Sequence, residues 1–146
     1  MMPDLKEIIM RVIFATLLSG LIGLEREIRH RGAGLRTHIL VCLGSTLIML
    51  TSFYVFDIYK DVSNIDPSRI AAGIVTGIGF LCAGTIIRYG KSVRGLTTAA
   101  SLWVTSGLGM AVGAGFYEAS FTVAIVMFLV LIALRPLEKR LGKEEE

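Results

Sequence analysis

Two charged clusters stand at the ends of long apolar segments, and they are the first places to look for chemistry. One is Glu25-Arg26-Glu27, with Arg29 four residues after Glu25. On a helix that spacing pairs Glu25 with Arg29, and the surrounding basic residues mark a side of the membrane. If the cluster instead faces the interior of a bundle, Glu25 is a carboxylate able to bind a cation or exchange a proton, the roles for which membranes retain ionisable groups. The other cluster is Asp66-Pro67-Ser68-Arg69. Asp66 is suited to cap a helix, and proline fits its first position, where a missing N–H matters least. Arg69 lies one turn inside with Asp66 as its nearest partner. A mobile Asp66/Arg69 pair can respond to protons or divalent cations, but it is not a complete site for ions that take several oxygen ligands.

Other polar groups follow helical spacing. Thr97, Ser101, Thr105, Gly109 and Gly113 recur at every fourth residue. Such a stripe either lines a path or packs against a neighbouring helix, because serine and threonine bond across helices or back to their own turn. Its expected neighbour is the ridge Gly73 and Gly77, with Ala72, Thr76, Gly79 and Ala83 on the adjoining face and Gly84 beyond. Each glycine costs a helix roughly 1 kcal/mol relative to alanine, a cost that close packing in lipid offsets. Trp103 lies deep and reads as packing surface. Arg11 pairs with Glu7 and snorkels to the outer interface. His30 and His38 lack ligand spacing, Cys42 and Cys82 read as core, and no spacing assigns metal ligands. There is no P-loop, G-x-S-x-G, H-E-x-x-H or Ser/His/Asp set, so an enzyme is not expected.

These residues need helices in lipid to hold them. The chain has 146 residues, 53% of them hydrophobic, and a mean hydropathy of +0.69, the composition of an integral membrane protein. A net charge of +3, with the basic residues dispersed between apolar segments, gives no nucleic-acid surface. A hydrocarbon core of about 30 Å needs roughly 20 helical residues. Five segments qualify: Leu5 to Leu24, Thr37 to Phe56, Pro67 to Ile87, Thr97 to Gly115 and Phe116 to Leu134. The expectation is an all-α bundle of about five transmembrane helices, residues 1–136, followed by a charged cytoplasmic tail, 137–146. Arginine and lysine crowd the first and third connections and the tail, while acids dominate the second. That places the amino terminus outside and the carboxyl terminus in the cytoplasm. The first apolar segment contains Arg11 and no small-residue cleavage site follows it, so it reads as a retained helix.

A shift of 61 positions aligns Gly23 with Gly84, Gly34-Leu35 with Gly95-Leu96, Thr37 with Thr98 and Ser45 with Ser106. Two outside-in hairpins related this way form a parallel repeat of the kind some transporters use. The alternative is coincidence between two segments rich in glycine and leucine.

Read together and in order, five motifs resemble the MgtC/SapB family over most of the chain. They are Gly-Leu-Glu-Arg-Glu at 23–27, Gly-Leu-Arg-Thr at 34–37, Asp-Pro-Ser-Arg-Ile-Ala-Ala at 66–72, Gly-Ile-Gly-Phe-Leu-Cys-Ala-Gly-Thr at 77–85 and Arg-Gly-Leu-Thr-Thr-Ala-Ala-Ser-Leu-Trp at 94–103. The resemblance implies a bacterial inner-membrane protein of about five helices, associated with adaptation to low magnesium, with the F-type ATP synthase as a regulatory partner. It nominates Glu25, Arg26, Arg36, Thr37, Asp66, Arg69, Thr85, Thr97, Thr98 and Ser101 as functional positions. Longer family members carry a cytoplasmic domain after the fifth helix; this chain resembles a short form, so functions of that domain do not transfer. Gly73 stands where the family carries a polar side chain, often glutamine, so no family site is transferred to that position.

Two functions follow as expectations. The first is a non-enzymatic regulator linked to magnesium limitation or membrane energetics, requiring no cofactor and acting through a membrane partner. The second is a cation transporter or channel, with Mg²⁺ as its ion. Five helices are few for a monomeric transporter, so that reading calls for a homodimer or larger assembly with the glycine ridges supplying the contact.

Overall fold

The computed structural model describes residues 3–62, 66–90, 92–134 and 136. Five helices follow one another: α1 (Leu5–Ile28), α2 (Leu35–Tyr59), α3 (Ser68–Thr85), α4 (Leu96–Ala114) and α5 (Tyr117–Ala133). The expected tail, 137–146, lies outside the described residues. Of the five, α1, α2 and α3 are long and apolar enough to cross a membrane. The hydroxyls and glycines of α4 dilute its hydropathy, and α5, at 17 residues, is about 26 Å long. Outward faces carry Leu17, Leu21, Phe80 and Leu129, as contact with lipid requires.

The helix ends explain where the expected boundaries shift. α1 runs past Leu24 to Ile28, carrying Glu25 and Arg26 inside the helix. It stops where His30 takes a left-handed backbone (φ 54°) and the Arg31 N–H reaches the Arg26 carbonyl at 3.0 Å. The Glu27 carboxylate then accepts the Leu35 N–H at 3.0 Å, capping α2 in place of Gly34, which has no side chain to do so. α3 ends at Thr85 instead of Ile87. The next residues form a short antiparallel hairpin, β1 (Ile87–Tyr89) with β2 (Ser92–Arg94), a small addition within the all-α bundle. Gly95 closes this turn at φ 87°, where a Cβ would overlap the Thr85 carbonyl oxygen.

α2 and α4 make the most extensive contact, flanked by α1 on α2 and α3 on α4. One core cluster joins Ala15, Leu18 and Ile22 of α1 with Cys42, Leu108, Val112, Ala124 and Met127. A second joins Ile78 and Cys82 of α3 with Ala99 and Leu102 of α4. Both cysteines are buried, as expected.

The expected glycine packing is corrected in its partners. Gly109 and Gly113 do sit in close contact, but against α2: a Cβ on Gly109 would overlap the Cys42 carbonyl oxygen, and one on Gly113 would lie 2.7 Å from Met49 Cβ. The α3 ridge does not meet α4. A Cβ added at Gly73, Gly77, Gly79 or Gly84 would meet nothing within 4 Å. α3 instead turns Ala71, Ile74, Ile78 and Cys82 inward, a more voluminous apolar stripe at helical spacing that buries more surface. Trp103 is 53% exposed and faces out of the bundle; its neighbour Leu102 fills the core position.

Candidate functional site

The buried polar groups of α1, α2 and α4 line one seam. At one end, the register that buries Ile22 and Gly23 of α1 also buries Arg26, one turn on. A Cβ on Gly23 would lie 2.8 Å from Leu35 Cα, so this glycine lets α1 and α2 approach closely there. Arg26 Nη2 donates to Thr98 Oγ1 on α4 at 2.7 Å. Glu25, also buried, pairs through Oε1 with Arg29, the expected i,i+4 partner. Its second oxygen, Oε2, is buried without a hydrogen-bond partner, as are Arg26 Nε and Arg31 Nε. A buried charge is costly unless it is paired or hydrogen-bonded: Glu25 has Arg29, and the Arg26 guanidinium has the Thr98 hydroxyl.

His38 of α2 is fully buried beside it. Its Nδ1 lies 2.8 Å from the Gly34 carbonyl oxygen, and its Nε2 lies 3.1 Å from Ser101 Oγ. Ser101 Oγ is in turn 2.8 Å from the Thr98 carbonyl oxygen, and Thr105 Oγ1 donates to the Ser101 carbonyl at 2.8 Å. Further along, Ser45 and Ser106 share a hydrogen bond at 2.9 Å, and Thr46 Oγ1 donates to the Gly109 carbonyl at 2.9 Å. At the far end Arg11 donates to the Gly113 carbonyl and pairs with Glu7. The Glu7 pairing was expected, but Arg11 is buried against α4 instead of snorkelling outward. A cavity of about 230 Å³ lies at this end, lined by Pro3, Arg11, Phe53, Phe56, Asp57, Pro67 and Ala114.

Of the nominated residues, Glu25, Arg26, Thr98 and Ser101 converge. Thr37 is half-buried near them, and Arg36 and Thr97 are exposed. Thr85 ties off α3 by donating to the Cys82 carbonyl at 2.8 Å. Asp66 and Arg69 lie at the opposite end of the bundle from Glu25, and both are exposed. The expected Asp66/Arg69 ion pair is not formed. Asp66 Oδ1 accepts the Ser68 N–H at 2.8 Å, and bonds from the Ser68 hydroxyl and N–H hold the carboxyl below the usual carboxylate range. Pro67, not Asp66, occupies the cap position of α3, and Asp66 one residue earlier closes a turn that holds the first helical N–H.

His38 is the residue that sequence spacing missed. Its signal was a polar ring inside an apolar span, which in a membrane needs a partner even where no metal spacing exists. Among the described residues no three His, Cys, Asp or Glu side chains converge as a metal set. What the seam does is hold buried charge and link the helices by hydrogen bonds.

The chain matches the family model described as the MgtC family over residues 12–140. It is 47% identical over 137 residues to the protein named "Putative magnesium transporter YhiD" of Escherichia coli K12, covering 92% of this chain and 64% of that relative. It is 42% identical over 135 residues to Protein MgtC of Salmonella typhimurium LT2, covering 92% of this chain and 55% of that relative. Protein MgtC of Brucella abortus 2308 is 45% identical over 123 residues, 84% of this chain and 49% of its own. The chain thus spans between half and two thirds of the length of these curated relatives. No solved structure matches it. A family model covering nearly the whole chain, with these relatives and five helices of which three can cross a membrane, makes this protein a membrane member of the MgtC family.

Proposed function

We propose that the chain is a non-enzymatic regulator in the bacterial inner membrane, amino terminus outside and carboxyl terminus in the cytoplasm, whose Glu25/Arg26/His38 cluster senses the ionic environment. Its partner is a membrane protein, by family resemblance of the F-type ATP synthase kind. The observation that carries this reading is how the seam is closed. At Gly109 and Gly113 the α4 backbone contacts α2 directly, and a buried arginine stands at each end, Arg26 and Arg11. A cation crossing there would have to part packed backbones and pass two guanidinium groups. A sensing element tolerates such closure.

The test is to crosslink the chain in its own membranes, purify it, and look for a stoichiometric membrane partner. Recovery of the chain alone, together with full function of a Glu25→Gln variant, would sink the reading. A second reading, an oligomeric Mg²⁺ transporter, is favoured by the unpartnered Glu25 oxygen and by the name of the Escherichia coli relative. Magnesium flux into liposomes carrying the purified chain, above that of protein-free liposomes, would establish it in place of the first.

A further inference from the structure

We propose that His38 is a buried proton-binding site, built so that its neutral and protonated forms are both fully hydrogen-bonded, and that the proton is the ion the cluster senses. The proposal rests on the sensing reading above and names its ligand.

The argument is a count of hydrogens. The Gly34 carbonyl, 2.8 Å from His38 Nδ1, can only accept, so Nδ1 carries a hydrogen in either state. That leaves Nε2, 3.1 Å from Ser101 Oγ. The Ser101 hydroxyl has one hydrogen and two acceptors in reach, His38 Nε2 and the Thr98 carbonyl oxygen at 2.8 Å. When His38 is neutral, Nε2 is bare and Ser101 donates to it. When His38 gains a proton, Nε2–H donates to Ser101 Oγ, and the hydroxyl hydrogen turns to the Thr98 carbonyl. The proton taken up forms one N–H bond at Nε2, one hydroxyl rotates, and no heavy atom moves. An ordinary buried histidine satisfies one state and leaves an unmatched pair in the other, at the cost of desolvating a group without a bond.

The charges around the ring come from α1 and the turn after it. Glu25 and Arg26 of α1 lie near enough to act on His38, Arg31 lies beside Arg26, and the Glu27 carboxylate caps α2 at the Leu35 N–H next to Gly34. From α4 it meets the hydroxyl of Ser101, and on its own helix the only neighbouring charge is the exposed Arg36. The unpartnered Oε2 of Glu25 supplies a negative charge beside the ring, and Arg26 and the amino-terminal end of α2 supply positive ones. Because Thr98 also accepts from Arg26, protonation places a new positive charge next to the bond joining α1 to α4. That is the route by which a proton on α2 alters how α1 sits on α4.

The test is nitrogen NMR of the histidine-labelled full chain in phospholipid nanodiscs between about pH 8 and about pH 4, the range across which histidine switches. The expected result is a His38 ring carrying hydrogen on Nδ1 at the upper end and on both nitrogens at the lower end, with the helical fold intact. Ser101→Ala removes the acceptor that the charged form needs and weakens proton binding about tenfold, because bonds to charged groups are the stronger ones. Ser101→Thr retains the hydroxyl and keeps the midpoint, which controls for a misfolded alanine variant. Glu25→Gln weakens proton binding in the same direction as Ser101→Ala. A ring that stays in one form until the bundle unfolds, hydrogen on Nε2 at the upper end, or an unmoved midpoint in Ser101→Ala would overturn the proposal. The titration involves no partner. Failure of partner capture at either pH therefore counts against the sensing reading while leaving the proton site standing.

Discussion

Ser45 of α2 and Ser106 of α4 share a buried hydrogen bond, and they are 61 residues apart, the same offset at which the chain resembles itself. If the α1–α2 hairpin is exchanged with the α3–α4 hairpin by a two-fold rotation, a residue touches its own counterpart only on the axis. The rest of the bundle obeys the exchange: α1 reaches across to α4 as α3 does to α2, and Gly34 and Gly95 stand at the starts of α2 and α4. The symmetry breaks at the charged end. The positions matching Glu25 and Arg26 are Ile86 and Ile87, which leave the helix for the β-hairpin.

One donor and one acceptor share the bond on this axis, so removing one hydroxyl strands the other. Ser45→Ala or Ser106→Ala should each cost about 1 kcal/mol, while the double variant costs less than the sum of the two. Reversible unfolding in mixed micelles measures this, and strict additivity would place the serines outside a shared bond.

The two glycine rows predict opposite responses. Gly109→Ala forces α4 off the Cys42 carbonyl and should cost about 3 kcal/mol. Gly77→Ala meets nothing within 4 Å and should stabilise the isolated chain by roughly 1 kcal/mol through helix propensity. Equal effects in thermal unfolding would contradict the orientation of α3.

Thr98→Val removes the acceptor of a buried guanidinium and should lose about 2 kcal/mol. Thr98→Ser should restore most of it. If valine were as stable as serine, the Arg26–Thr98 bond would not hold α1 to α4.

His30 ends α1 in a left-handed conformation that costs a side chain about 1 kcal/mol, so His30→Gly should raise stability by about that amount. A destabilised glycine variant would show that the imidazole has a role beyond the turn.

The pH dependence of the start of α3 follows from Asp66. Its carboxyl is held below the ordinary value by the Ser68 hydroxyl and N–H, so the turn it closes is fully held above the unfolded value near pH 4 and is lost as pH falls through the lower, folded one. Amide exchange at Ser68 should quicken in that acid window and show no such step in Asp66→Asn, whose side chain does not titrate there.

By itself the sequence determined that the chain is built from five apolar helical segments, where their charged ends fall and which family the motifs belong to. It also contained the Glu25–Arg29 and Glu7–Arg11 pairs and the 61-residue offset, because those depend only on spacing along the chain. Which way each helix turns was decided by the tertiary structure. Gly73-x-x-x-Gly77 of α3 and Gly109-x-x-x-Gly113 of α4 are the same pattern on paper, yet one faces outward and the other lies against α2. His38 looked isolated until α4 brought Ser101 to its Nε2. The physical reason is that in a membrane an apolar face suits lipid as well as it suits a neighbouring helix, so hydropathy carries no inside and outside. Facing is set by complementary volume and by where buried hydrogen bonds find partners, and both exist only once the helices are assembled.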